Sequence, residues 1–278
     1  VRRFNRLAAS IGTQSLGQRV AVAGLPSELV DMATEFNGML QRIDAGYQQL
    51  EAFSGDLAHE MRTPVATLLG RTQVALSRGR SVNELREVME GNVEELERLS
   101  ALINDMLFIA RADHDAAPIQ AEPIDLAVQA RRVAEYLSLI ADERGVTIQV
   151  LGDAPPVPAD RLLIQRAITN LVSNAIRHSV EHGKVVIEIA ANGTTASLEV
   201  VNEGQAIAPE HLDRVFDRFF RADPGRSRDA GGSGLGLAIV RSIARVHQGS
   251  IAVRSGDGHT RFVLQLPMTP DRGQRGTT

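Results

Sequence analysis

Two long stretches in the first half of the chain space their apolar residues by alternating threes and fours. This spacing predicts amphipathic α-helices that pack along a coiled-coil seam. The first stretch begins near Ser27, a plausible N-cap, and runs on through the segment FSGDLAHEMRTPVATLLG. A short polar turn, Ser77 to Ser81, leads into the second. The two helices are therefore predicted to form an antiparallel hairpin.

A single hairpin of this kind leaves one apolar seam uncovered. Pairing two copies into a four-helix bundle would bury that seam, so a homodimer is predicted. Asn92 is the polar member of the seam in the second helix, where it either fixes the helix register or lies at the edge of the bundle. The seam residues of this helix are Leu85, Met89, Asn92, Leu96, Leu99, Ile103, Met106 and Ala110.

His59 is predicted to lie on the exposed face of the first long helix. It follows Leu57 of the apolar stripe by two residues, which turns the imidazole roughly 200° away from the stripe. Glu60 lies beside it and can accept the other imidazole proton, while Thr63, one turn later, can orient a water. Pro64 is expected to bend the helix. For this pair alone, the alternative is a solvated histidine beside a chance glutamate. The stripe consists of Ile43, Tyr47, Leu50, Phe53, Leu57, Met61, Val65 and Leu68.

Composition limits the classes of protein to consider. The 278 residues suffice for two or three small domains, and a net charge of -4 argues against a nucleic-acid partner. The absence of cysteine excludes disulfides and suits a reducing compartment. No apolar run reaches the length of about 18 residues that a membrane span needs. The chain begins at Val1, so it is expected to be a cytoplasmic piece of a longer protein.

The second half of the chain, from Pro123 onward, alternates strand-like and helix-like segments, which indicates a mixed sheet layered with helices. A Pro- and Ala-containing segment from Asp113 to Pro123 is the predicted boundary between the halves. The predicted strands are Val146–Val150, Val185–Ile189, Ser197–Val201, Ile251–Val253 and Phe262–Leu266. The predicted helices are Leu126–Glu143, Asp160–His178 and Leu235–His247.

Four segments of this second half contain residues that are suited to binding a nucleotide. Asn170 and Asn174 lie four apart on one helix face, where their carboxamide oxygens can hold magnesium against phosphates. Asn202 ends a strand and can hydrogen-bond an adenine edge, next to Gly204 and Ile207. Each feature alone is also common on ordinary surfaces. Their order along the chain favours a nucleotide site more strongly than any one of these features does.

The third and fourth segments frame a loop. Three phenylalanines are expected to anchor it in the core, and the polar segment Ala222–Ala230 is expected to act as a lid. A glycine-rich run then leads into an apolar helix, whose first N–H groups can receive phosphate. The phenylalanines are Phe216, Phe219 and Phe220, and the glycines are Gly231, Gly232, Gly234 and Gly236.

With these segments in order, the chain resembles the sensor histidine kinases of bacterial two-component systems over essentially its whole length. HEMRTP resembles the H-box, NLVSNAIRHS the N-box, NEGQAI the G1 box, FDRFF the F-box and GGSGLGL the G2 box. The resemblance implies that His59 is phosphorylated, that Glu60 is its acid–base partner, and that Thr63 helps to dephosphorylate a response regulator. It implies Mg²⁺ held by Asn174 and Asn170. The residues it implies for ATP are Asn170, Asn174, Arg177, His178, Asn202, Gly204, Ile207, Gly232, Gly234, Leu235, Gly236 and Leu237.

The resemblance also implies an architecture. It consists of a HAMP-like relay coiled coil (1–48), a hairpin for dimerisation and phosphotransfer (49–115), an α/β sandwich of the histidine-kinase and gyrase ATPase class (122–268), and a disordered tail (269–278). The full-length protein would lie in the bacterial inner membrane through transmembrane helices that this fragment lacks. Its partners would be a second copy and a cognate response regulator.

The G1 box departs from the usual Asp-x-Gly-x-Gly, because Asn202 replaces the aspartate and Ala206 the second glycine. This G1 variant and the segment FSGDLAHEMRTP are similar to those of the heavy-metal branch of these kinases, of the copper and silver type. The metal would then bind a periplasmic domain outside this chain. Two alternatives stay open. One is an ATPase of the gyrase or chaperone type, and the other is a degenerate kinase that acts as a phosphatase or scaffold.

Overall fold

The computed structural model describes residues 19–22, 27–113, 119–222 and 233–269. Most of the first 26 residues, which belong to the predicted relay coiled coil, and nearly all of the predicted tail lie outside these residues. Contacts divide the chain into two compact units, Val1–Asn92 and Val93–Thr278. Within the described ranges, no helix combines the length and the hydrophobicity that crossing a bilayer requires.

Two long helices form the predicted hairpin. Helix α1 spans Ser27–Leu76 and helix α2 spans Val82–Asp113. A capping box begins α2: the Ser81 backbone N–H donates to the Glu84 carboxylate at 2.8 Å, and the Glu84 N–H donates to Ser81 Oγ at 3.3 Å. These hydrogen bonds hold the pKa of Glu84 below its usual value. The Ser-x-x-Glu spacing thus ends the turn at a defined residue.

Polar contacts set the register of the hairpin in the first unit. Asn92 donates through Nδ2 to Thr72 Oγ1 at 3.1 Å, and Arg71 donates to the Gly91 carbonyl at 3.1 Å. Of the two roles predicted for Asn92, the structure favours the one in the helix register. The register concerned is that of α1 against α2 within one chain.

The apolar stripe of α1 is less buried than an amphipathic helix in a finished core would be. Ile43 exposes 46% of its surface, Tyr47 42% and Val65 48%. In α2, the seam residues Met89 and Leu96 are also exposed. One hairpin has only one inner side, so these exposures agree with the predicted uncovered seam, and its burial by a second copy stays a prediction.

A short extended segment lies against the first part of α1. The Asn37 carboxamide accepts the Val20 N–H at 2.8 Å and donates to the Val20 carbonyl at 3.0 Å, as a neighbouring strand would. Arg19 pairs with Asp44 at 3.3 Å. The HAMP-like assignment of residues 1–48 remains a prediction, since most of the residues before α1 lie outside the described ranges.

The second unit contains a five-stranded mixed sheet in the order β2-β4-β5-β7-β6. Strand β2 runs parallel to β4, and the other neighbours are antiparallel. Strands β1 and β3 form a separate antiparallel pair. The strands are β1 Glu122–Ile124, β2 Thr147–Gly152, β3 Val157–Ala159, β4 Lys184–Asn192, β5 Thr195–Glu203, β6 Ser250–Gly256 and β7 His259–Pro267.

Helices cover one face of this sheet and confirm the predicted α/β sandwich. Alternate residues of β5 and β7 are buried, as expected for a sheet with one covered face. Helix α5 packs between α3 and α7. Its buried residues run from Ile164 to Ile176. The helices are α3 Leu126–Tyr136, α4 Ser138–Glu143, α5 Arg161–His178, α6 Pro209–Leu212 and α7 Gly236–Val246.

The prediction of one helix over Leu126–Glu143 was wrong. The chain breaks at Leu137, whose φ of -93° and ψ of 2° leave the helical region. The Ser138 hydroxyl donates to the Glu135 carbonyl at 2.8 Å, a local bond that competes with helix continuation. Leu137 itself is buried, so tertiary packing stabilises the break between the two helices.

The second part of α2 packs within the second unit. Its buried stripe comprises Leu102, Met106, Ile109 and Ala112. Arg166 of α5 pairs with Asp105 and lies 4.9 Å over the Phe108 ring. Burial raises the pKa of Asp105, and the Arg166 charge opposes that rise. These contacts place the division between the units inside α2, whereas the sequence placed the domain boundary at Asp113–Pro123.

The buried His247 joins the end of α7 to the start of α5. Its Nδ1 lies 2.8 Å from the Ile243 carbonyl, to which it donates, and its Nε2 accepts the Asp160 backbone N–H at 2.9 Å. Asp160 in turn caps α5 through the Leu162 and Leu163 N–H groups. Burial lowers the pKa of His247, so the folded chain holds this residue neutral.

We expect His247 to make the second unit sensitive to acid. Because its folded pKa lies below the ordinary value of 6.5, its contribution is complete above that pH and is lost as the pH falls through the folded pKa. His247→Gln should flatten the decline in the free energy of unfolding between neutral pH and about pH 5, measured by urea denaturation at each pH. His259→Gln, at an exposed histidine, is the control and should keep the decline. An unchanged profile for His247→Gln would contradict this assignment.

Candidate active site

The first group of candidate residues lies along α1. His59 and Thr63 are exposed and Glu60 is half-buried, as the position of the apolar stripe predicted. The Thr67 hydroxyl donates to the Thr63 carbonyl at 3.0 Å. Helix α1 continues through Pro64. The imidazole is thus presented to solvent on the surface of α1, where an incoming group can reach it.

The second group begins on α5, which presents its polar side away from the sheet. Buried residues such as Leu171 and Ala175 hold the helix against the core. Asn170 and Asn174 remain half-buried on the other side, one turn apart. A Cβ on Gly236 would lie 3.4 Å from Asn170 Oδ1, so Asn170 faces the first residue of α7. The structure therefore brings the N-box and the G2 box together.

The end of β5 is joined to the end of α5. Val180 donates through its backbone N–H to the Glu203 carbonyl at 3.0 Å, and Gly204 donates to the Gly258 carbonyl at 2.8 Å. A Cβ on Gly204 would lie 2.2 Å from the His178 carbonyl oxygen. Only glycine fits there, because real Cβ atoms do not approach an oxygen so closely.

Asn202 lies at this joint with 2% of its surface exposed. It pairs across the sheet with Thr260, whose Oγ1 is 2.7 Å from Ser255 Oγ. Ser255 Oγ also accepts the Ile207 backbone N–H at 2.9 Å. The β6–β7 hairpin therefore pairs with Asn202 and hydrogen-bonds to Gly204 and Ile207.

The F-box fixes the start of the G2 segment. Gly234 has a φ of +69°, and a Cβ there would lie 2.8 Å from the Phe219 backbone. The Phe219 N–H donates to the Gly234 carbonyl at 3.0 Å. Phe216 is buried edge-on against Phe262, as expected for an anchor, whereas Phe219 and Phe220 are half-buried. Gly232 and residues 223–230 of the predicted lid lie outside the described residues.

Leu235 is fully buried and Leu237 is half-buried at the beginning of α7. Within the described part of the chain, no side chain caps α7 at its N-cap residue. The Leu235 backbone N–H donates to Ser233 Oγ at 3.4 Å, and the helix dipole favours an anion at this end of α7.

Guanidinium groups gather at the C-terminal end of α5. Burial, together with the charges of Arg221 and Arg144, lowers the pKa of Arg177. Burial and the charges of Arg177 and Arg144 likewise lower the pKa of His178, which keeps its imidazole neutral near pH 7. Like charges crowded in this way favour a bound polyanion, because an anion relieves their repulsion.

Sequence reasoning missed three members of this region. Thr260 and Ser255 come to the cluster through strand pairing that no local pattern specifies, and Arg144 comes through tertiary packing.

The structure explains why the G1 box can have Ala206 in place of its second glycine. Ala206 is exposed and does not have the positive φ that requires glycine, so alanine replaces the second glycine without strain.

Two family models match the two halves of this arrangement. The His Kinase A (phospho-acceptor) domain matches residues 49–115, which include His59. The Histidine kinase-, DNA gyrase B-, and HSP90-like ATPase matches residues 159–270, which include the cluster around Asn202. The chain belongs to the sensor histidine kinases. Its second unit is accordingly an ATP-binding domain.

Relatives of this histidine kinase match almost all of its residues. Sensor histidine kinase CusS of Escherichia coli O157:H7 is 40% identical over 267 residues, which are 96% of this chain and 55% of that protein. Sensor protein CzcS of Cupriavidus metallidurans is 41% identical over 269 residues, 96% of this chain and 56% of that protein. The chain thus spans about half the length of the curated relatives it matches.

Solved histidine kinases share the fold. Full-length ShkA in complex with AMPPNP has a TM-score of 0.60 and 28% identity, covering 79% of this chain and 46% of that one. Acinetobacter baumannii AdeS has a TM-score of 0.63 and 24% identity, covering 76% and 98%. Histidine kinase ThkA in complex with response regulator protein TrrA has a TM-score of 0.62 and 22% identity, covering 89% and 69%.

We expect Gly204→Ala to disrupt the joint between β5 and α5. The added methyl group would collide with the His178 carbonyl, and such overpacking typically lowers the free energy of unfolding by about 1–3 kcal/mol. Urea denaturation measures this change, and fluorescence titration with labelled ATP should show weaker binding. Gly256→Ala is the control, since a Cβ there meets no atom within 4 Å. Equal stability of the two variants would contradict the close approach.

Proposed function

We propose that this chain is the catalytic portion of a two-component sensor histidine kinase, which phosphorylates His59 from ATP and passes the phosphoryl group to an aspartate of a response regulator. The observation that carries the proposal is the combination of a solvent-presented His59 on α1 with an ATPase-type domain in the same chain. A gyrase-type ATPase would not need the exposed histidine on a helical hairpin.

The reaction is an in-line displacement at the γ-phosphorus of ATP. One imidazole nitrogen of His59 forms the new P–N bond as the bond to the β-phosphate oxygen breaks and ADP leaves. Glu60 accepts the proton from the other imidazole nitrogen, and Thr63 orients the water that removes the phosphoryl group from the regulator. Most of the rate enhancement comes from positioning and from neutralising phosphate charge, because phosphoryl transfer needs little covalent help from protein.

The nucleotide would be held at the joint described above. Asn202, Gly204, Ile207 and His178 would surround the base, while Arg177 and the start of α7 at Gly234, Leu235, Gly236 and Leu237 would receive the phosphates, with Gly232 belonging to the same loop. The crowded charges around Arg177 support this arrangement, since they favour an anion.

Asn170 and Asn174 would hold Mg²⁺ together with the phosphates. Their carboxamide oxygens are hard ligands, and one or two protein oxygens plus substrate phosphates suit this ion. Within the described ranges, no cluster of three acidic, histidine or cysteine side chains offers an all-protein cage. Held by Asn170 and Asn174, the ion would neutralise charge on the phosphates.

The heavy-metal assignment rests on the G1 variant around Asn202 and on the similarity to CusS and CzcS. We infer that the full-length protein lies in the bacterial inner membrane and senses copper, silver or a related ion through a periplasmic domain outside this chain. A cognate response regulator would dock on the hairpin, because His59 is exposed there. The solved neighbour ThkA is in complex with a response regulator protein, TrrA. The exposed seam of α2 supports a homodimer.

We expect His59→Gln to abolish incorporation of label from γ-labelled ATP, since glutamine offers no nitrogen nucleophile of this kind. The label on the unaltered chain should be acid-labile and base-stable, as a P–N bond is. Binding of labelled ATP should be unchanged, because His59 lies on α1 in the first unit and the nucleotide residues lie in the second.

Two results would contradict the proposal. Steady release of phosphate without labelled protein would indicate a gyrase-type ATPase. Absence of label with intact ATP binding in the unaltered chain would indicate a degenerate kinase that acts as a phosphatase or scaffold. Thr63→Ala separates the roles further: it should keep autophosphorylation and slow dephosphorylation of the regulator.

We expect Leu96→Glu to dissociate the dimer. Leu96 exposes 53% of its surface in the single chain, and a carboxylate in a buried bundle seam lacks a partner. Light scattering over a dilution series should give the mass of a dimer for the unaltered chain and of a monomer for the variant. Ala101→Glu adds the same charge at an exposed position off the seam and should remain dimeric. A monomeric unaltered chain would refute the assignment.

A further inference from the structure

Strand β2 forms one edge of the main sheet, and one of its sides has no partner strand. It comes first in the order β2-β4-β5-β7-β6, with β4 as its neighbour. Among the described residues, no strand pairs with its other side. Such a free side presents a row of backbone N–H and C=O groups, with which another extended chain can pair.

One hydrogen bond shows which backbone groups of β2 point to this free side. The Thr147 N–H donates to the carbonyl of Gly183, the residue before β4, at 3.1 Å. In a parallel pair, alternate residues direct their backbone groups to the neighbouring strand, and the residues between them direct theirs away from it. The Gln149 N–H therefore also faces β4, whereas the N–H groups of Ile148 and Val150 face the free side.

The sequence of β2 does nothing to prevent pairing at its free side. Its residues, TIQVLG, include no charged side chain and no proline, the residue types that usually keep an exposed edge from pairing. The strand at the opposite edge, β6, has Arg254. Thr147, Ile148 and Val150 are β-branched, a side-chain type that favours strands. The composition of β2 is therefore suited to a strand that is paired on both sides.

A cleft lies between the start of β2 and the break that separates α3 from α4. We call it the α3–β2 cleft. Its volume is about 460 Å³. The residues that line it include Glu135 of α3, Ser138 and Asp142 of α4, and Thr147 and Ile148 of β2. Because the Ile148 N–H points to the free side of β2, the cleft adjoins that side.

The charge of the α3–β2 cleft is negative. Glu135 and Asp142 are the charged residues among those that line it, and both are exposed. Within the described part of the chain, neither carboxylate belongs to an ion pair. Charges of one sign that line a cleft attract a partner of the opposite sign and discriminate against a partner of the same sign. The cleft therefore fits a basic partner and disfavours a second copy of the same acidic surface.

Apolar side chains flank the same cleft. Tyr136, Leu139 and Ile140 are neighbours in sequence of its lining residues, and all three are exposed. Large apolar residues that are exposed together mark interaction surfaces, whereas single ones are ordinary. The partner is therefore expected to offer apolar as well as basic side chains. An extended chain can do so with alternate residues, since these point to opposite faces.

We propose that the free side of β2 is a docking site for an extended, basic segment of a partner protein, which adds to the sheet as a further strand. Hydrogen bonds to the backbone of Ile148 and Val150 provide the affinity, and the carboxylates of Glu135 and Asp142 select a basic chain. This docking site shares no residue with the proposed nucleotide site, so it does not depend on the proposed kinase activity.

The experiment uses a labelled synthetic peptide of alternating arginine and valine, with both ends blocked. Its control is a peptide of the same length that alternates glutamate and valine. Fluorescence anisotropy with the unaltered chain should show that the basic peptide binds at least about tenfold more tightly, because the charges of the cleft attract it and repel the control. The affinity should also fall as salt is added, since these charges are exposed.

Two kinds of variant test the two parts of the docking site. Val150→Pro removes an N–H that points to the free side and spares the hydrogen bonds to β4, so the basic peptide should bind about tenfold more weakly. Val150→Thr keeps that N–H and is the matched control, which should bind like the unaltered chain. The double variant Glu135→Gln with Asp142→Asn, at exposed positions, should also lose most of the preference for the basic peptide. Thermal melting of each variant separates misfolding from lost binding.

Hydrogen exchange, measured for each residue by NMR, locates the bound peptide. The basic peptide should slow exchange at Ile148 and Val150 and leave Gln149 unchanged, because the Gln149 N–H already faces β4. Exchange that stays fast at Ile148 and Val150 would overturn the inference. So would equal affinities for the two peptides, or a double carboxylate variant that binds the basic peptide as well as the unaltered chain does.

Protection of Ile148 and Val150 in the absence of any peptide would likewise overturn the assignment to a partner protein. If that protection disappears on dilution, a second copy of the chain pairs with β2. If it disappears when residues 270–278 are removed, the chain's own C-terminal segment pairs there.

Discussion

The nucleotide-binding unit depends on the close approach of Gly204 to the His178 carbonyl. It joins the end of a sheet strand to the end of the helix that carries Asn170 and Asn174. The Val180–Glu203 and Gly204–Gly258 backbone hydrogen bonds close the same joint from either side. The residues proposed to contact the base and those proposed to contact the phosphates therefore share one backbone joint, and a shift of either element would move both sets together.

Positive charge is concentrated close to this joint, at the C-terminal end of α5. Arg177 is half-buried near two other guanidinium groups, Arg144 and Arg221, an arrangement that disfavours its charged form. Burial is the larger cause of the lowered pKa, and a bound polyphosphate would offset the second cause, the repulsion among the guanidinium groups. His178, held neutral nearby, adds no further positive charge.

Periodicity in the sequence predicted the five strands of the main sheet and the helical hairpin, because one-sided burial imposes periods that can be counted. The same counting placed Asn170 and Asn174 on one helix face. It failed where tertiary contacts decide: the break at Leu137, the β1–β3 pair and the contribution of Thr260. The strand features depend on which distant strands pair, and the break at Leu137 depends on the burial of its side chain; the local spacing of apolar residues encodes neither.

Helix α2 belongs to both compact units, since Asn92 contacts α1 in the first and Asp105 pairs with Arg166 in the second. The two parts of α2 differ in their surroundings: Leu102, Met106, Ile109 and Ala112 are buried within the second unit, whereas Met89 and Leu96 are exposed. A polar substitution should therefore cost more stability in the later part of this helix than in the earlier part.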